Sequence, residues 1–227
     1  MAGSKIFMTN YIILFLVLLN PFALFTYLQP IMKELRPKTF LKVFFEASLI
    51  SFAIYYLFAL TGFYLFEHIF QIHFEAFRIF GGIVIVSFAL LFIVQGKKSF
   101  VTIKGDLDGL ASEIALPFMV GAATIALSIL IGERFSSMQS LFILSAVLII
   151  NFIFIATLLY IRLNLRRKLQ IAFDKSMDTL LRLNGFFVGA IGLDMIVVGL
   201  AGLASAGNAS PLLTYFHSLT LLITTSI

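Results

Sequence analysis

From Lys5 to Lys33 the chain carries no charged side chain, and midway through that run stand Asn20 and Pro21. A helix needs about 20 apolar residues to cross a bilayer core, so the run reads as one crossing with a break inside it. Proline removes a backbone donor and crowds the preceding turn, and Asn20 adds a polar amide at the same depth. Lipid offers no hydrogen bonds, so a break survives there only where protein or water satisfies the freed groups. Leu116-Pro117-Phe118 repeats the event in a later uncharged run. The two breaks are expected to face each other across a site.

Charged residues make up 12% of the chain and hydrophobic ones 61%. Soluble domains carry roughly a quarter and a half, so this is an integral membrane protein. Charges fence off six spans in a single transmembrane domain, 1–227. They are Ile6 to Met32, Val43 to Phe66, Ile79 to Gly96, Ile114 to Gly132, Phe135 to Ile161, and Arg182 to near Ala204. The ten-residue alternation of a membrane barrel is absent, so the fold is all-α. After the breaker cluster Ala206-Gly207-Asn208-Ala209-Ser210-Pro211 comes an apolar tail, 212–227. At ~1.5 Å per residue its 16 residues reach about 24 Å, which suits a short re-entrant or interfacial helix, with a seventh span as the rival. The first segment lacks a small-residue cleavage site and reads as a mature helix, not a signal peptide.

Basic residues set the orientation. Lys5, Arg78 and Arg134 fall on the N-terminal side, and the other thirteen on the opposite side. The N-terminus is therefore expected outside the cell membrane, with loops one, three and five in the cytoplasm. The run Arg166-Arg167-Lys168 then reads as a topology and anionic-lipid anchor, not a nucleic-acid patch.

The chain also repeats itself. Asn20-Pro21-Phe22 and then Arg78 with Gly81 in the first half answer Leu116-Pro117-Phe118 and then Arg182 with Gly185 in the second. Each unit, 6–96 and 114–204, holds three spans. An odd number makes the second enter the membrane from the opposite face, as in the inverted repeats of many secondary transporters. Substrate contacts are then expected at Asn20, Pro21, Phe22, Pro117, Gly121, Ala122 and Thr124, with Ala123 between the last two. Asp194 lies deep in the sixth span, where an ionisable group is expensive and marks either function or a paired structural carboxyl. Ion coupling is expected from Asp194, Asn20, Asn151 and Glu46, although Glu46 lies close enough to Lys42 to reach the interface. Gly81, Gly82, Gly185, Gly189 and Gly192 read as helix-packing positions.

The chain has no cysteine, hence no disulfide, thiolate metal site or thiol nucleophile. No hydrolase, zinc-protease or P-loop signature occurs, and an enzyme is not expected. His68 and His73 stand near Glu67 and Glu75, which reads as a solvated loop before a metal site; His217 is apart.

These residues together resemble the MarC family of integral membrane proteins. The resemblance rests on Asn20-Pro21-Phe22, Arg78 with Gly81-Gly82-Ile83, Ala115-Leu116-Pro117 with Gly121, and Arg182 with Gly185. It implies six spans and kinship with LysE-type exporters. It also implies transport of small neutral amino acids, glycine and alanine, driven by a cation gradient. The chain departs from that family at Gly121-Ala122-Ala123, where members often carry Gly-Pro-Gly, and at Asp194, where many carry glutamine. The expected function is thus Na⁺- or H⁺-coupled transport of a small neutral amino acid without a further cofactor. An exporter or lipid-linked carrier is the rival, as is a non-transporting scaffold, and a homo-oligomer is compatible with each.

Overall fold

A computed structural model describes residues 2–95, 111, 114 and 119–205. It is all-helical, with no strand among the described residues. Helix α1 (Ala2–Leu19) and α2 (Pro21–Glu34) are two halves of the first crossing, separated by Asn20. Then follow α3 (Pro37–Tyr64), a wide turn at Leu65–Ile69, and α4 (Phe74–Gln95). After them come α5 (Ala122–Arg134), α6 (Ser137–Asn164) and α7 (Arg167–Ser205). Five described helical runs are long and apolar enough to cross a membrane: Phe7–Glu34, Pro37–Tyr64, Phe74–Val94, Ser137–Asn164 and Arg167–Ala204.

Helices α3 and α6 match in length at 28 residues each, and α2 and α5 nearly so at 14 and 13. Each short helix joins its long one through two extended residues, Leu35-Arg36 and Phe135-Ser136. Residue 37 opens α3 and residue 137 opens α6, so equivalent positions lie a hundred apart. On that register Asn20 corresponds to Val120 or Gly121. Among the described residues the chain leaves the helix at Val120-Gly121; Pro117, the expected partner of Pro21, lies outside the described residues, as does the tail 212–227.

The fifth loop needs correction. Residues 167–182 were expected in a connection, but they form the first turns of α7. Charges end a hydrophobic run, not a helix, because Lys, Arg and Leu are all good helix formers. Met177 and Leu181 bury one side of this extension, and the Phe173 ring meets Phe25 of α2 edge-on at 5.8 Å.

One core lies among α1, α2, α3, α5 and α6, built on Phe15, Leu24, Phe25, Phe44, Tyr55 and Ile143. A second, small one holds Ile85 and Ala89 of α4 against Val188 of α7. Lipid is as apolar as these side chains, so close approach of helices matters more than burial. Between α4 and α7 it is achieved by glycine: a Cβ on Gly82 would lie 2.6 Å from the Gly192 carbonyl oxygen, and one on Gly185 3.3 Å from that of Ala89. Gly189 faces Ala89 in the same seam, and Gly81 faces Met195.

Candidate functional site

The first break is held by its own asparagine. Asn20 sits at φ 50°, ψ 72°, the left-handed region that asparagine tolerates better than most residues. Its Oδ1 accepts from the Ala23 N–H at 3.1 Å and its backbone carbonyl from the Leu24 N–H at 3.0 Å, which starts α2. Pro21 occupies the first helical position, where a missing N–H costs least. Its cost falls instead on the Val17 carbonyl, four residues back, which loses its donor. Asn184 of α7 supplies one: its Nδ2 donates to the Val17 oxygen at 3.2 Å. Asn184→Leu is expected to cost about 1–3 kcal/mol by stranding that carbonyl, read as a lower Tm in detergent. An unchanged Tm would mean that the Val17 carbonyl does not depend on this bond.

The second break is repaired in the same way. The Met119 carbonyl accepts from the Tyr55 hydroxyl at 2.6 Å and from Thr124 Oγ1 at 3.1 Å. Thr124 Oγ1 in turn accepts from the Gly121 N–H at 2.9 Å. Tyr55 is fully buried with its ring edge-on to Phe15 at 5.0 Å, so α3 carries a fixed donor to the break.

Between the two breaks lies a cavity of about 120 Å³. A buried water needs only about 10–15 Å³ by this measure, so the space admits several waters or a small solute. Asn20, Ala23 and Leu24 line it from the first crossing, and Gly121, Ala122, Ala123 and Thr124 from the second. Val84, Ile85 and Phe88 of α4 and Val188 of α7 close the sides. Tyr27 and Phe92, with rings 6.1 Å apart, line its Lys33 end. Among the described residues no lining side chain is charged.

Its walls are mainly apolar, with a donor from Asn20 among the polar groups. Asn20 is 3% exposed, and its Nδ2 has no partner among the described residues. The N–H groups of Ala122 and Ala123 precede the first bond of α5, from the Ile125 N–H to the Gly121 carbonyl at 3.0 Å. Helix N-termini carry partial positive charge. The cation expected on the Asn20 oxygen therefore meets a competitor, since Oδ1 already caps α2 and the amide turns its donor free.

The cavity thus brings together Asn20, Gly121, Ala122 and Thr124. Pro21 and Phe22 flank it without lining it; the Phe22 ring meets Phe154 edge-on at 5.3 Å. Asn151 is fully buried on α6, with neither side-chain atom partnered among the described residues, yet it does not line the cavity. Glu46 is exposed beside Lys42, 3.8 Å away. Asp194 is exposed as well and does not line the cavity. It lies two residues past Gly192, about 200° round the helix from the face that packs on α4. Among the described residues no three acidic or histidine side chains gather as a metal site; Glu75 instead pairs with Arg78 at 3.0 Å.

Several contributors escaped the sequence reading. Asn184 and Tyr55 repair the breaks, and only the depth of each in an apolar run hinted at a bonded partner. Arg162, Asp174 and Gln29 form a network at the Lys33 end. Arg162 Nε donates to Asp174 Oδ1 at 2.9 Å, its terminal nitrogen to Oδ2 at 3.1 Å, and Gln29 Nε2 to Oδ1 at 3.1 Å. This ties α2, α6 and α7 together where the basic residues signalled only orientation.

Five described helical runs long and apolar enough to cross a membrane, one of them broken at Asn20 beside a cavity, define the chain as a polytopic integral membrane protein. Residues 5–204 match the model of the MarC family integral membrane protein, and the chain belongs to that family. It is 29% identical over 161 residues to the UPF0056 membrane protein PH0214 of Pyrococcus horikoshii, covering 70% of this chain and 75% of that protein. No solved structure matches the chain.

Proposed function

We propose that the chain is a secondary transporter of small neutral amino acids, of the glycine and alanine class, working by alternating access. The observation that carries this reading is that Asn20 and Gly121, one at each helix break, border one cavity. A mainly apolar space with the free Asn20 amide and the start of α5 on its wall suits a small zwitterion whose carboxylate meets a helix N-terminus. The hundred-residue recurrence of helix lengths supports two inverted repeats of three crossings, the usual frame for such a site. Among the described residues, three basic residues toward the Phe7 end against ten toward the Lys33 end support a cell-membrane orientation with the Lys33 end in the cytoplasm. Coupling to Na⁺ or H⁺ is part of the proposal without an assigned ligand, because Asp194 and Glu46 do not line the cavity.

The test is uptake of radiolabelled glycine and alanine into proteoliposomes under imposed Na⁺ or pH gradients. Among the described residues a Cβ on Gly121 would meet nothing within 4 Å, and the backbone there, at φ −115°, accepts any side chain. Gly121→Val is therefore expected to fold normally, project into the cavity and cut uptake at least tenfold. Wild-type protein that moves neither amino acid under any gradient would end the reading.

A further inference from the structure

The seam between α3 and α6 carries another hollow, on the outer face of the bundle. Its volume is about 300 Å³, against about 120 Å³ between the breaks. Phe45, Ser48, Leu49 and Phe52 line it from α3, and α6 contributes the four positions one hundred further on, 145, 148, 149 and 152. The same register positions of the two halves thus meet here. Leu49 and Ile149, on facing walls, are 51% and 58% exposed, so the hollow opens to the surroundings. The Phe45 and Phe152 rings meet edge-on at 5.9 Å. The walls are almost wholly apolar, and the Ser48 hydroxyl is spent on the Phe44 carbonyl of its own helix at 2.8 Å. All of this lies near the middle of the spans Pro37–Tyr64 and Ser137–Asn164. Water finds no partner in such a place, so an apolar chain fills it.

The path leading to the hollow separates it from ordinary lipid-facing surface. Lys38, Lys42, Phe45, Leu49 and Phe52 follow one another at spacings of four, three, four and three residues, so they share one face of α3. Both lysines are exposed. Lys42 lies ten residues before Phe52, or about 15 Å along the helix. One leaflet of a bilayer core about 30 Å thick has that same depth. An anionic headgroup on the lysines therefore brings the end of its acyl chain to Phe52. Glu46, 3.8 Å from Lys42, offsets part of that charge, and Lys38 adds a second cation.

We propose that this groove binds one anionic phospholipid from the leaflet at the Lys33 end, with an acyl chain along Phe45, Leu49 and Phe52 and the phosphate on Lys38 and Lys42. The site is separate from the cavity between the breaks, so it neither needs the transport reading nor tests it. The measurement is native mass spectrometry of delipidated protein titrated with phosphatidylglycerol, or with phosphatidylcholine of the same chains. One phosphatidylglycerol is expected to bind per chain. A lysine beside an anionic lipid contributes about fivefold and Glu46 offsets part of it, so the preference over phosphatidylcholine is expected to be about tenfold. Lys38→Ala with Lys42→Ala is expected to abolish that preference and leave the Tm in detergent unchanged. Leu49→Trp and Ile149→Trp each push an indole into the hollow from an exposed wall, and each is expected to weaken phosphatidylglycerol binding about tenfold. Equal binding of the two lipids by the native chain would overturn the proposal, as would undiminished binding by both tryptophan variants. A dimer that forms without lipid and is lost in the tryptophan variants would give the groove to a second copy instead.

Discussion

Asn20→Ala is expected to lower stability by about 2 kcal/mol and abolish uptake. Roughly 1 kcal/mol comes from the lost cap on Ala23. A similar amount comes from forcing alanine into the left-handed region. Asn20→Gly separates structure from recognition, because glycine adopts φ 50° freely and replaces a cap at a cost of only a few tenths of a kcal/mol. That variant should melt near the wild type in detergent but lack the free Nδ2 donor in the cavity. Its glycine uptake is expected to fall by about tenfold or more, the loss of one hydrogen bond to a charged group. Full uptake by a stable Asn20→Gly protein would show that the amide only shapes the break.

Gly132→Ala should be worse for folding than any change in the cavity. A Cβ there would run into the backbone carbonyl of Ala59, where α5 crosses α3. Backbone cannot rotate away as a side chain can, so the helices must separate, at a cost of about 3 kcal/mol or more. Gly62, nearby on the same crossing, faces the Ile129 side chain, so the displaced contact has little room to reform. Size-exclusion profiles and melting curves of Gly132→Ala beside Gly121→Ala would check this. The first should aggregate or lose most of its folded yield, while the second should match the wild type. Equal behaviour of the two would remove the α3–α5 crossing from the account.

Much of this was legible in the chain. Charge-free runs gave the helices, since only a helix satisfies its backbone in lipid. Asn20 with Pro21 marked a break because both residues are unfavourable there unless the fold uses them. Gly121, Ala122 and Thr124 signalled a backbone open to a ligand, and they share a cavity with Asn20. Other features had no sequence signal. The crossing helices are apolar all round, so no periodicity separated a lipid face from a protein face. That is why the depth of Asp194 was readable and its direction was not. The extension of α7 was hidden by treating charges as boundaries. The start of α5 had no signal of the kind proline gives, because a helix can equally begin after a glycine, as α5 does at Gly121.

The two-residue joints between helices have a mechanical consequence. Leu35 donates back to Ile31 at 2.9 Å, and Arg36 accepts from Phe40 ahead at 2.9 Å. Phe135 and Ser136 do the same with Ile131 and Ser140, at 2.9 and 2.8 Å. Both residues of each joint are thus tethered, one to the helix behind and one to the helix ahead, and no bond crosses between them among those described. Any bend is therefore concentrated in the torsions between Leu35 and Arg36 and between Phe135 and Ser136. With the left-handed turn at Asn20 and the extended Gly121, the bundle has pivots at both ends of α2 and of α5.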